Sequence, residues 1–240
     1  MNDQAPPDVG VDVLRTDDRL DDPEFLAAVV DLLGVLAYGE LTGFARLGAD
    51  SDAAPTLTAK AELARLAVVR IEHFERLRGR LVELGAEPDA AMEPFVVAID
   101  AFHERTAPST WLERLVKAYV GEGIGFDFYR EMTAYLDPAT RALVQAVLED
   151  AGQGGFVVRE VRAAIEADPR VAGRLALWGR RLVGEALSQA QRVAADRDAL
   201  AALIIGSVDR PGADLGELMR MFSRLTDAHQ ARMAELGLNA

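Results

Sequence analysis

The stretch from Asp22 to Gly48 reads DPEFLAAVVDLLGVLAYGELTGFARLG, and its pattern decides the fold class. Asp22 followed by Pro23 is a helix start. The carboxylate can accept from the first unpaired backbone N–H groups, and a proline at the first helical position gives up a donor that would have no partner there. Beyond it, Leu33, Ala37, Glu40, Phe44 and Leu47 recur at spacings of three and four, which puts them on one helical face. The spacing predicts a helix to about Leu47, ended by Gly48 and the Asp, Ser and Pro residues running to Pro55. Glu40 is out of character in this apolar seam.

The same punctuation continues outward. Thr56 or Thr58 opens a second helix reaching Leu84, with Gly85 as its stop. A shorter helix containing Pro94 lies between Pro88 and Thr106, and 106–110 is a turn. A long helix starts at Ser109 or Thr110 and runs to Leu136, where Asp137 and Pro138 close it and start the next, which heads toward Ala167. Gly152, Gly154 and Gly155 fall inside that one, each costing about 1 kcal/mol relative to alanine, so a kink or bulge is expected there. Asp168 with Pro169 launches a very long helix to about Ile205, a loop covers Gly206 to Gly212, and a last helix spans Asp214 to Leu236. Helices of this length with short connections and no fixed-period repeat predict an all-α bundle. The reading is one domain over 22–240 behind a disordered lead-in at 1–21, which carries two prolines and several aspartates.

Composition agrees. Half of the residues are apolar and only 6% are aromatic, with alanine and leucine dominant, a balance that favours helix over sheet. The formal charge of −13 sets the bulk field against a phosphate backbone. The polar, acidic N-terminus lacks the charge pattern of a secretory signal, so the expectation is a cytoplasmic protein with no membrane segment. The chain has no cysteine, so any metal would be held by carboxylate or imidazole.

Charged residues inside apolar stripes are the informative anomaly, because a charge buried alone costs several kcal/mol. In the second helix Leu63, Leu66, Arg70, His73, Leu77 and Leu84 share a face; in the helix after Thr110, Leu115, Ala118, Tyr119, Glu122, Phe126 and Tyr129 do; after Pro169, Leu175, Trp178, Leu182, Glu185 and Gln189 do. The reading is that Glu40, Arg70, His73, Glu122 and Glu185 converge on one buried polar centre. His103 sits near a helix end, and His229 lies in the Phe222, Leu225, Met233 seam as a core or boundary residue. Gly121, Gly123 and Gly125 flank Glu122 without a preceding strand or a following Lys-Ser/Thr pair, so they read as close helix packing and not as a phosphate loop.

Three stretches carry a resemblance: Ala37-Tyr38-Gly39-Glu40, His73-Phe74-Glu75-Arg76-Leu77, and Asp127-Phe128-Tyr129-Arg130-Glu131 with Tyr135-Leu136-Asp137. In these the chain resembles the ferritin-like di-metal carboxylate proteins, and within them the tRNA hydroxylases acting on 2-methylthio-isopentenyladenosine and their actinobacterial relatives, over roughly Asp22 to Ile205. The resemblance implies a ferritin-like bundle with additional C-terminal helices. It also implies a site built from one Glu on each of two helices and a Glu-x-x-His pair on each of two others, since residues three apart aim at the same metal. Glu40 and Glu122 match the lone glutamates and His73 matches one imidazole. Arg70 stands where the first pair needs a carboxylate, and Gly152-Gln153-Gly154-Gly155 stands where the second pair is expected.

An arginine cannot ligate a metal and stays protonated. The expectation is therefore a degraded metal site with no cofactor, Arg70 taking the place of the cation among the glutamates, in a binding or structural protein without hydroxylase activity. The alternative is an active non-haem iron oxygenase using Glu40, His73 and Glu122 as metal ligands. Catalytic residues are not assigned. A tRNA partner is implied by the resemblance alone, and a homo-oligomer is left open. Arg174, Arg180, Arg181, Arg192 and Arg197 crowd the helix after Pro169, where an exposed stripe would suit RNA or an acidic partner.

Overall fold

The computed structural model describes residues 18–150, 154–207, 210–211 and 215–239. The helix-start signals act where the sequence places them. α1 spans Pro23–Asp52, with the Asp22 side chain accepting from the Glu24 N–H. α2 spans Leu57–Glu83, capped by Thr56, whose hydroxyl accepts from the Ala59 N–H, and Gly85 ends it at φ +76°. α1 runs through Gly48 to Asp52, longer than its glycine suggested; Ser51 is buried and its hydroxyl returns to the Gly48 carbonyl. α1 and α2 form the longest antiparallel contact in the molecule.

The Pro88 to Thr106 segment is not one helix. It is α3 (Pro88–Met92), a 3-10 turn containing Pro94, and α4 (Val96–Arg105), because proline cannot donate within a helix. Thr110 and Glu113 form a reciprocal capping box at the head of α5 (Trp111–Val116). A π-helical turn over Lys117–Gly121 then leads into α6 (Glu122–Met132). Asp137 starts α7 (Pro138–Asp150), accepting from the Thr140 N–H and from Arg80. The next predicted helix is described as two, α7 and α8 (Gly155–Ala167), the second preceded by Gly154 at its N-cap; Gly152 and Gln153 lie outside the described residues.

The helix after Pro169 also ends early. α9 covers Arg170–Asp196, Arg197 is non-helical at φ −131° and ψ 83°, and α10 follows over Asp198–Ile205. Arg197 departs from the helix to grip Asp31 of α1 through two guanidinium nitrogens, and α10 packs onto α1. Gly206–Ser207 and Arg210–Pro211 form a minimal antiparallel ladder within the predicted loop, and α11 closes the chain over Leu215–Glu235. Residues 1–17 of the predicted lead-in lie outside the described residues; Asp18–Asp21 form a 3-10 turn whose Arg19 donates to the Leu136 carbonyl.

The apolar interior has two parts. One gathers Phe25, Leu32, Leu36, Leu81, Phe95, Leu136 and Val144 at one end of the α1–α2 pair. The other gathers Leu47, Leu63, Leu115, Val120, Trp178, Leu182 and Met233 at the other end. α1 is long and apolar enough to cross a membrane by composition, with mean hydropathy 1.7 over its best window, but 61% of that window is buried inside this bundle. Packing accounts for its apolarity.

Candidate functional site

The boundary between the two apolar clusters is where the charges sit. Glu40 follows Ala37 and precedes Leu47 on α1; Arg70 and His73 lie between Ala67 and Phe74 on α2. Glu40 is 2% exposed, His73 1% and Arg70 9%. The α1–α2 antiparallel contact brings these three together across thirty residues of chain. Arg70 Nη1 lies 3.3 Å from both Glu40 Oε1 and Oε2, and His73 Nδ1 lies 3.5 Å from Oε2. A single guanidinium nitrogen therefore sits in the bite of the carboxylate, in place of the planar fork that a bidentate pair would present.

α6 covers the pair with aromatic surface. The Arg70 guanidinium lies over the Phe126 ring at 4.5 Å, an attraction that strengthens as water is removed. Burial and the negative charge of Glu40 push the Tyr129 hydroxyl well above the ordinary tyrosine range, so this phenol stays protonated beside the ion pair. Gly43, one turn beyond Glu40, lies under the Arg70 stem; an added Cβ there would be 3.7 Å from Cδ, an ordinary contact. The inward face of α1 turns through Gly43, while Phe44, expected in the seam, is 39% exposed.

Two expected members do not complete the cluster. Glu185 of α9 is half-buried and faces Arg105 of α4, with Oε2 3.7 Å from Nη1. α9 packs against α4 at this level, which carries Glu185 to a partner other than Arg70. Glu122 begins α6, but its side chain lies outside the described residues. The long apolar stripe drawn through it is also interrupted: the π turn adds a residue per turn, and Tyr119 donates its hydroxyl to Glu235 of α11.

Sequence reasoning missed Asp127 as a site residue. It is 6% exposed and accepts from Arg130 at 3.1 Å and from Arg232 of α11, 105 residues away. Gly123, one turn before it, makes room: an added Cβ would stand 2.5 Å from Arg232 Nε. A small residue one turn before a carboxylate was the available signal. Arg70, Asp127, Arg130 and Arg232 border a cavity of about 200 Å³ whose other walls include Leu66, Phe126 and Val157. His229 is buried nearby, and burial together with Arg232 pushes its pKa down. Along α9, Arg174, Arg180, Arg181 and Arg192 are exposed, but Arg181 donates to the Arg105 carbonyl and Arg180 to that of Asn239, and Arg197 is tied to Asp31. The arginines thus serve partly as helix-end ties.

A long helical pair crossed by further helices, with a carboxylate, a histidine and an arginine buried at its waist, defines a ferritin-like bundle. The chain belongs to the ferritin-like domain family of actinomycetes, whose model matches residues 23–207. Solved structures agree on the fold. A protein from Synechococcus with aldehyde deformylating oxidase activity superposes with a TM-score of 0.70 at 17% identity, covering 92% of this chain and 94% of its own. A candidate class I ribonucleotide reductase from Bacillus halodurans gives 0.66 at 14% identity, covering 91% and 82%. No curated protein sequence matches the chain.

The described donors do not fit a two-metal centre. Among the described residues no three carboxylate or imidazole side chains gather as a metal would require. The Glu40 carboxylate already faces the Arg70 cation with both oxygens, and a metal there would meet a fixed positive charge 3.3 Å from its ligand atoms.

Proposed function

We propose that this protein is a metal-independent ferritin-like bundle in which the Arg70 guanidinium replaces the metal cations, acting as a binding or structural protein without hydroxylase activity. One observation carries this reading: a single guanidinium nitrogen placed 3.3 Å from both oxygens of the buried Glu40. Such a pair keeps the waist of the bundle polar without a metal. The cavity of about 200 Å³ beside it, with Arg70 on its wall, is the space a binding role would use. The kinship to tRNA hydroxylases is supported by the three short stretches around Glu40, His73 and Asp127, and accounts for the scaffold; the net charge of −13 argues against tRNA as the present partner.

Elemental analysis tests the proposal. Protein purified from iron-supplemented cells is expected to carry well under one iron per chain. Two irons per chain, with the absorption band of an oxo-bridged pair, would overturn it and restore the oxygenase reading.

A further inference from the structure

The cavity of about 200 Å³ beside the ion pair has two chemically different walls. Leu47, Leu66, Phe126, Leu148 and Val157, one from each of α1, α2, α6, α7 and α8, make it largely apolar. Against them, α6 and α11 bring Asp127, Arg130 and Arg232 to the same space.

The charges contributed by α6 and α11 do not balance. Asp127 is buried and shared: Arg130 Nη1 donates to its Oδ1 at 3.1 Å, and Arg232 Nη2 donates to its Oδ2. Asp127 is the one acid among the described lining residues, so one carboxylate serves two guanidiniums. Arg70 also borders the cavity, but it is engaged with Glu40 and adds nothing to this sum. Arg232 gives Asp127 one of its terminal nitrogens; the other, Nη1, is buried and has no hydrogen-bond partner. A guanidinium nitrogen closed off from water in this way is a donor with an unmet demand.

Two glycines seat this wall. A Cβ on Gly123 would stand 2.5 Å from Arg232 Nε, and one on Gly154 would collide with the ring of Tyr119, itself a lining residue. Arg232 and Tyr119 thus occupy places that only a missing side chain leaves open, which fixes them at the edge of the cavity.

We propose that this cavity binds a small monocarboxylate with an apolar body, its carboxylate at Arg232 and Arg130 and its body against Leu66, Leu148 and Val157; this rests on the binding role proposed above and gives it a ligand class. A carboxylate matches the planar guanidinium fork, offers an acceptor to the Arg232 side chain, and supplies the second acid that two arginines lack. A phosphate dianion brings two charges where one is unmet, and its oxygens gain nothing from the apolar wall.

Hexanoate is the probe. Titrated calorimetrically into the full chain at constant ionic strength, it should bind saturably at one site. Hexan-1-ol, the same body without the charge, and acetate, the charge without the body, should each bind at least about tenfold more weakly. Arg232→Lys keeps the charge without the fork and should weaken hexanoate at least about tenfold; Arg130→Gln, on an exposed side chain that leaves Arg232 paired with Asp127, should weaken it at least about threefold. If Arg232→Lys fails to fold, Arg130→Gln decides. Absence of saturable hexanoate binding by wild type overturns the proposal, as does equal binding of hexan-1-ol or equal hexanoate binding by the Arg130→Gln protein. Iron content of the same sample is read separately. Iron-free protein that ignores hexanoate overturns this inference and leaves the metal-independent reading standing, whereas protein with two irons that takes hexanoate through Arg130 overturns that reading and supports this one.

Discussion

Replacing Arg70 by alanine removes the partner of a carboxylate that is 2% exposed. Nothing in the position of Glu40 lets water reach it, so the cost is that of stranding a buried charge, about 3–5 kcal/mol. Lost cation–π contact with Phe126 acts in the same direction. For a chain of 240 residues, 1 kcal/mol shifts the melting temperature by roughly 2–4 °C, so the melt should fall by about 6–20 °C. The double variant Glu40→Gln with Arg70→Met fills the same space without charge and should melt above Arg70→Ala, near or above wild type, because uncharged replacements of buried pairs are often neutral or stabilising. Arg70→Glu recreates a Glu-x-x-His pair with His73 and sets a second carboxylate toward Glu40. Without metal it should be less stable than Arg70→Ala, and Fe²⁺ or Mn²⁺ should recover part of the loss by binding the folded state. Thermal unfolding of the four proteins by circular dichroism, with and without metal, measures all of this. If Arg70→Ala and wild type melt within a degree or two, the ion pair is not what holds Glu40, and the reasoning fails.

The approach of α1 to α3 allows no side chain at Gly34, where an added Cβ would stand 2.1 Å from the Ala91 carbonyl oxygen. Gly34→Ala should destabilise by about 1–3 kcal/mol or more, whereas Gly39→Ala in the same helix meets nothing within 4 Å and should stabilise by about 0.5–1 kcal/mol; urea unfolding that ranks them the other way contradicts the packing described. Burial, with Lys117 and Arg46 nearby, lowers the His103 pKa to about 3, which makes stability depend on pH in a stated direction. The unfolded chain takes up the proton first as pH falls through about 6.5, so this contribution is complete above that value and is lost down toward pH 3, at up to about 1.4 kcal/mol per unit. At pH 5 wild type should have lost about 2 kcal/mol more than His103→Gln, and equal losses would show that His103 is not held neutral.

Much of the architecture was written locally. Asp22-Pro23, Thr56, the Thr110–Glu113 box, Asp137-Pro138 and Gly85 act within a few residues of themselves, through backbone groups that every helix end leaves unpaired. For that reason the all-α class and the main helix starts could be read from the chain, and the spacing of Glu40, Arg70 and His73 marked them as inward. Where the reading of the charged residues and of the helix after Pro169 failed, the cause is a partner distant in sequence. α9 stops at Arg197 because Asp31 lies across the bundle; Glu185 meets Arg105 because α4 packs on α9. Asp127 is buried because Arg232 reaches it over Gly123. Helical periodicity tells which face of a helix is turned inward, since 3.6 residues per turn is a local property, but not which other helix that face will meet. Which charge pairs with which was therefore decided only when the helices packed.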